Sequence, residues 1–308
     1  MIVGLSGGVG GARMLTGLRD TVGGDALTCI VNVADDETIY GLEVSPDLDT
    51  VMYHLAGLTD WEQGWGIAGD TFVTMTELNA RSGNAWFRLG DRDLATHLAR
   101  TIALREGMSL TAITAHLSRQ LGIDAEILPV TDDHVHTFLL TEDGPIPFQK
   151  WFVAGRASTP VSGLEFRGAT QAVLSPSVHS AIESAEMIVI CPSNPMLSID
   201  PMLAIPGMKE LLRTHRERVV AVSPIIDGQA LRGPAARLFS WLGTEPSVVE
   251  IVRRYRDLAS RFVCDSLDVR HRDALSDFGV DVLHTDTIMV NEKAAGALAC
   301  RVIEWMRS

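Results

Sequence analysis

The 308 residues are 46% hydrophobic and 21% charged, an ordinary globular composition with length for one large domain or two small ones. The formal net charge of −13 describes a surface that repels nucleic acid and anionic membrane, so neither is expected as a partner, and an anionic substrate must be met by a local basic cluster. No apolar run approaches the ~20 residues needed to span a bilayer, and the chain enters a strand-like run without a basic leader, so a cytoplasmic protein is expected.

The run Ile2-Val3-Gly4-Leu5 reads as a buried strand, and four glycines follow it at Gly7, Gly8, Gly10 and Gly11. Ala12, Leu15 and Leu18 then recur at helical spacing. Strand, glycine turn and helix present bare N–H groups and a helix N-terminus to an anion, which predicts a phosphate or nucleotide site. The turn belongs to none of the commonest phosphate-binding families. A P-loop needs Gly-Lys-Ser/Thr where Gly11-Ala12-Arg13 stands, and the dinucleotide fingerprint needs a third glycine or alanine where Arg13 stands. Nor does an Asp-Ser follow Ser6-Gly7-Gly8, as in a pyrophosphatase loop.

A second buried strand, 27–33, ends at Asn32-Val33-Ala34-Asp35-Asp36, and a helix is expected over 48–58 after Ser45-Pro46-Asp47. Residues 60–69, with Trp61 and Trp65, read as a loop, and helical patterns follow at 71–80, 94–105 and 110–121. Across 125–153 the pattern changes to short strands at 125–130, 136–141 and 146–153 with polar turns, with a hairpin signal at Asp143-Gly144 between the last two, and reads as an antiparallel piece. The α/β pattern resumes with a helix opening at Ser175-Pro176 and apolar strands at 187–191 and 219–223. Weaker strands are expected at 261–264 and 280–283, and helices at 207–218, 234–242, 246–261 and 292–306. The expected fold is a single α/β domain over 1–308. Its core is a doubly wound, mainly parallel, Rossmann-like sheet, with a small inserted α+β subdomain at about 60–170. Cys29, Cys191, Cys264 and Cys300 form no C-x-x-C, so reduced thiols are expected rather than disulfides or zinc.

Ligands of such sheets bind outside the carboxyl ends of the strands, where three polar clusters fall. One is the glycine turn. The second places Asp35, Asp36, Asp47 and Asp49 within fifteen residues. Such carboxylates repel unless a hard cation such as Mg²⁺ relieves them, although Asp47 and Asp49 are equally suited to capping a helix, and the pattern leaves both uses open. The third is Pro192-Ser193-Asn194-Pro195, a stiff turn offering a hydroxyl and an amide. Arg88 precedes the motif Leu89-Gly90-Asp91-Arg92-Asp93, and arginine suits a bidentate grip on phosphate, whereas a solvated helix start capped by Asp91 is the plainer reading. His97 sits between Leu94 and Leu98 at helical spacing, a packing position, and no nucleophilic triad can be read from the spacing.

These clusters, with Ser45-Pro46-Asp47-Leu48-Asp49-Thr50 and Ser223-Pro224-Ile225-Ile226, occur in an order and spacing that resemble the 2-phospho-L-lactate transferases of coenzyme F(420) biosynthesis, the CofD/FbiA family. The resemblance covers nearly the whole chain, from Ile2 to about Thr287. It implies an Mg²⁺-dependent, homodimeric transferase. The enzyme would move a phospholactyl, phosphoenolpyruvyl or phosphoglyceryl group from a guanosine diphospho-donor to the ribityl hydroxyl of the deazaflavin Fo, releasing GMP. It further implies that Asp49 and Arg88 meet the deazaflavin and that Asp35 and Asp49 face the metal as catalytic carboxylates. Gly7, Gly8, Gly10, Gly11, Ser193 and Asn194 would face the donor, with Asp91 and Arg92 in the substrate site. Trp61, Trp65 and Trp86 are available to stack on a deazaflavin ring. Phosphoryl transfer asks for positioning and charge neutralisation rather than a covalent nucleophile, which suits this residue set. The alternative is a nucleotide-sugar-binding regulator of the gluconeogenesis-factor type, which shares the glycine start and has no turnover. An NAD-dependent enzyme is disfavoured by Arg13.

Overall fold

The runs Ile2-Val3-Gly4-Leu5 and Leu27-Thr28-Cys29-Ile30-Val31 offer no polar face, and they pair side by side in the interior of a parallel sheet. The structure, a computed structural model, describes residues 1–231 and 233–308. Its first half runs β1 (Ile2–Ser6), α1 (Gly8–Val22), β2 (Leu27–Val31), β3 (Glu37–Ile39), β4 (Leu42–Val44), α2 (Pro46–Leu55), α3 (Val73–Ser82), α4 (Asp93–Arg105), α5 (Leu110–Gln120) and β5 (Glu126–Pro129). Next come β6 (His136–Thr141), β7 (Gly144–Pro147), β8 (Gly163–Arg167), α6 (Pro176–Ser184), β9 (Met187–Ile190), α7 (Asp200–Leu203), α8 (Met208–Thr214) and β10 (Val219–Val222). The chain closes with β11 (Ile225–Ile226), β12 (Gln229–Ala230), α9 (Ala235–Trp241), α10 (Val248–Tyr255), β13 (Arg261–Asp265), α11 (Arg272–Ser276), β14 (Asp281–Thr285) and α12 (Glu292–Arg307).

The central sheet has seven strands in the order β14-β13-β10-β9-β1-β2-β5, all parallel. This is the doubly wound α/β arrangement expected from the sequence. The winding reverses between β1 and β9, so their connections leave in opposite directions and a crevice opens beyond their carboxyl ends. Every residue of β1, β2, β9 and β10 is buried. Helix α1 packs on α12 and α2 and so fixes the start of α2 beside the crevice.

Four elements differ from expectation. Glu126–Pro129, read as part of the antiparallel piece, instead pairs in parallel with β2 and forms an edge of the central sheet. The antiparallel sheet has the order β7-β6-β8, with the hairpin turn at Asp143-Gly144 and a third strand that the sequence did not suggest. The expected strand over 146–153 stops at Pro147, and Lys150–Ala154 form a wide helical turn. Tertiary contacts decide this: Trp151 is buried, packs edge-on against Trp241, and donates its Nε1–H to the Thr159 carbonyl at 2.9 Å. The helix expected over 246–261 ends at Tyr255, since Arg261 opens β13. All four cysteines are free thiols, and only Cys300 is exposed. Among the described residues no helix is long and apolar enough to cross a membrane.

Candidate active site

Strand β1 delivers Gly7 to the crevice, and α1 begins at Gly8, so the glycines form the first turn of the helix rather than a loop before it. Gly8 takes φ +65°, a left-handed conformation that costs glycine nothing. A Cβ on Gly10 would lie 2.3 Å from the Pro192 carbonyl oxygen, so the bare backbone lets α1 rest on the turn after β9. The Gly7 N–H donates to Ser193 Oγ at 3.1 Å, joining the ends of β1 and β9. Gly7, Gly8, Gly10, Ser193 and Asn194 line a cleft of about 710 Å³. Gly11 does not; it sits beneath, where a Cβ would meet Ser6 Oγ and Ser193 Oγ. Asn194 accepts from the N–H groups of Met196 and Leu197 through its Oδ1, capping the turn that follows.

Asp35 and Asp47 face this cleft, with Asp36 buried just behind. Asp47 accepts from the Gly8 N–H at 2.7 Å and from Asn32 Nδ2 at 2.9 Å. It therefore caps α1, from the first turn of α2, rather than its own helix. Burial pushes its carboxyl up to about 6. Burial, with the charges of Asp47 and Asp36, raises Asp35 well above the ordinary carboxylate range. Asp36 is raised by burial as well, against the hydrogen bond from Ser45. Asp35 Oδ1 and Asp36 Oδ1 are buried without a hydrogen-bond partner. Two orphaned carboxylate oxygens in an electronegative pocket are what a divalent cation would complete. Among the described residues no group of three or more His, Cys, Asp or Glu forms a protein-only cage, so such a cation would need ligand oxygens.

Asp49 also lines the cleft, but both its oxygens are held by the guanidinium of Arg100. The resemblance implied Asp49 beside Asp35 at a metal; in the fold its carboxylate meets α4 through Arg100. His97, read as a packing residue, lies between Asp49 and Asp93 and also lines the cleft. Arg100 and Tyr53 are buried polar residues that the sequence reading missed, and Asp93 stood in a motif there without a role of its own. The available signal was the spacing of Asp93, His97 and Arg100, which puts three polar groups on one helical face.

The Leu89-to-Asp93 motif divides in the structure. Arg88 lines the cleft with its guanidinium 3.7 Å over the Phe72 ring. Asp91 and Arg92, expected in the substrate site, are outside the cleft lining. Asp91 accepts from the Thr71 hydroxyl and from the N–H groups of Val73 and Thr74, closing the start of α3. Those bonds, Thr71's first, hold its carboxyl well below the usual range. Arg92 is exposed, with its backbone N–H on Asp70. Among the tryptophans only Trp65 reaches the cleft. Trp61 carries the guanidinium of Arg13, 5.0 Å from its ring centre, and Trp86 packs edge-on against Phe87. Phe87, Phe148 and Phe152 complete an apolar wall.

A glycine helix start at the switch point of a doubly wound sheet, flanked by carboxylates and facing an aromatic wall, puts a cleft where doubly wound α/β proteins bind their ligands. The chain belongs to the CofD family: the family model 2-phospho-L-lactate transferase CofD matches residues 2–294. It is 40% identical over 302 residues to the 2-phospho-L-lactate transferase of Methanosarcina mazei, covering 97% of this chain and 98% of that one. It is 39% identical over 317 residues to the phosphoenolpyruvate transferase of Nocardia farcinica, covering 99% and 96%. A member of the UPF0052 family from Bacillus halodurans, protein BH3568, shares the fold with a TM-score of 0.65 at 16% identity, over 98% of both chains. The protein is thus a transferase of the 2-phospho-L-lactate transferase family.

Proposed function

We propose that this chain transfers an acyl-bearing phosphoryl group, phospholactyl or phosphoenolpyruvyl, from a guanosine diphospho-donor to the terminal ribityl hydroxyl of the deazaflavin Fo. The acceptor oxygen forms a bond to the phosphorus that carries the acyl group. The bond from that phosphorus to the bridging oxygen breaks, GMP leaves with the electron pair, and the hydroxyl proton is released. The observation that carries this reading is one cleft holding both the glycine turn, at Gly7, Gly8 and Gly10, and an aromatic wall, Trp65, Phe87, Phe148 and Phe152. A diphosphate suits the first and a tricyclic ring the second.

Asp35, with Asp36 and Asp47 beside it, would hold Mg²⁺, the partner best suited to its unpartnered buried oxygen. Such an ion neutralises diphosphate charge when bound. Arg88, at the cleft edge, meets the acceptor or the anionic product. Asp49 accepts hydrogen bonds from the acceptor's hydroxyl groups.

The test is to supply Fo, Mg²⁺ and, in parallel, phospholactyl, phosphoenolpyruvyl and phosphoglyceryl guanosine diphospho-donors. GMP and a more anionic fluorescent deazaflavin are expected on chromatography. Nucleotide-sugar binding with no product from any donor overturns the transfer reading in favour of a regulator.

A further inference from the structure

Between α2 and α4, in the wall of the cleft and just behind it, lies a cluster of buried polar groups. Tyr53 donates its hydroxyl to Asp93 Oδ1 at 2.6 Å. His97 Nε2 lies 3.2 Å from the same oxygen, and its Nδ1 lies 3.5 Å from Asp49 Oδ2. Arg100 completes the cluster with Nη1 at 3.1 Å from Asp49 Oδ2 and Nη2 on Oδ1. Arg100 also reaches the Glu43 carbonyl at 3.3 Å, which ties it to β4. Asp49, Tyr53, Asp93 and His97 line the cleft, whereas Arg100, only 1% exposed, does not.

Stability does not account for such an arrangement, because a buried ion pair is commonly replaced by apolar side chains without loss. What a two-pronged arginine fork supplies is geometry. It fixes the plane of the carboxylate, which a lysine on a flexible stem does not. Asp49 would otherwise rotate about its side-chain torsions in the wall of an open cleft.

We propose that Arg100 is a positioning residue for the acceptor alcohol. It acts through Asp49, locking that carboxylate in the one orientation that accepts from the acceptor's hydroxyl chain, while His97 Nδ1, 3.4 Å from Arg100 Nη1, packs beside the pair. The proposal rests on the reading of Asp49 as an acceptor contact.

The test measures GMP release with acceptor and donor varied separately, Fo binding by deazaflavin fluorescence, and thermal melts. The variants are Arg100→Lys, Arg100→Met, Asp49→Asn and Asp49→Asn/Arg100→Met. The double variant removes both charges together, so a single variant that fails to fold does not end the experiment. Arg100→Lys should lower kcat/KM for the acceptor about 100-fold, the scale of an ångström-sized misplacement. The donor KM should stay within about twofold, since the glycine turn is untouched. The double variant should be no worse for the acceptor than Asp49→Asn, the non-additivity of residues that act as a unit. A wild type that binds no Fo and releases no GMP overturns the functional reading and this proposal with it. A wild type that does both, beside an Arg100→Lys enzyme of lowered melting temperature but unchanged acceptor kcat/KM, overturns this proposal alone. So do losses that simply add in the double variant.

Discussion

Taking the cation-free protein from about pH 7.5 to about pH 5 should stabilise it, against the usual trend for an acidic protein. Burial pushes Asp47 up to about 6 from 3.8, so between those two values the folded chain binds more protons than the unfolded one. Stability from this group is therefore lost as the pH rises through that window and regained as it falls. A rise of about two pKa units corresponds to roughly 3 kcal/mol at neutral pH, of which about half returns by pH 5. Asp35 and Asp36 are raised by burial too and add to the effect. Asp200, outside the cleft, is also pushed up to about 6 by burial and supplies a share that no ligand of the cleft relieves. Asp93 does not oppose the trend in this range. Its burial is outweighed by the hydrogen bond and charge of His97, so its carboxyl lies below the ordinary value and its contribution is lost only in stronger acid. At about 2 °C per kcal/mol for a chain of this length, the melting temperature should rise by roughly 4–8 °C. Millimolar Mg²⁺ should raise it at pH 7.5 and do much less at pH 5, where protons already neutralise the cluster. The assay is a thermal melt in chelator and in Mg²⁺ at both pH values. A melting temperature that is flat or falls toward pH 5 in chelator refutes the assigned burial of charge. An Mg²⁺ effect equal at both pH values refutes the cluster as its site.

Other outcomes follow from single positions. Gly10→Ala forces a Cβ to within 2.3 Å of the Pro192 carbonyl, so α1 must withdraw from the turn that carries Ser193. It should cost about 1–3 kcal/mol in a denaturant melt and weaken GDP binding measured by calorimetry, although alanine is the better helix former. Gly296→Ala on α12 meets nothing within 4 Å and should stabilise by about 0.5–1 kcal/mol with normal turnover. Trp65→Ala removes a 42% exposed ring from the cleft wall, so the melt should hardly move while Fo affinity falls roughly 3–10-fold by fluorescence titration.

How far the site could be read in the sequence varied by residue type. The glycine turn and the Pro192-Ser193-Asn194 turn were readable because each is a local device: a run of glycines or a pair of prolines constrains the backbone wherever it stands. Asp35 was readable as a carboxylate at a strand end, and its Oδ1 is buried without a hydrogen-bond partner. Asp49 was placed in the cleft, but its partner Arg100 was not readable, because it lies fifty-one positions away on α4. Asp91 and Asp93 stand two apart in one motif, yet one caps the neighbouring helix α3 and the other faces the cleft. Nothing in their spacing distinguishes them.

The sequence by itself determined the α/β class, the alternation of buried strands with helices, and the glycine turn between β1 and α1. Periodicity and turn chemistry are properties of consecutive residues and survive without a partner. Only the tertiary structure decided that Glu126–Pro129 joins the central sheet, that Lys150–Ala154 form a wide helical turn carrying a buried Trp151, and that Arg100 reaches Asp49. These outcomes depend on which distant surfaces the sheet order brings together. A buried charge takes whichever partner the packing puts within reach, because desolvation leaves it none in water.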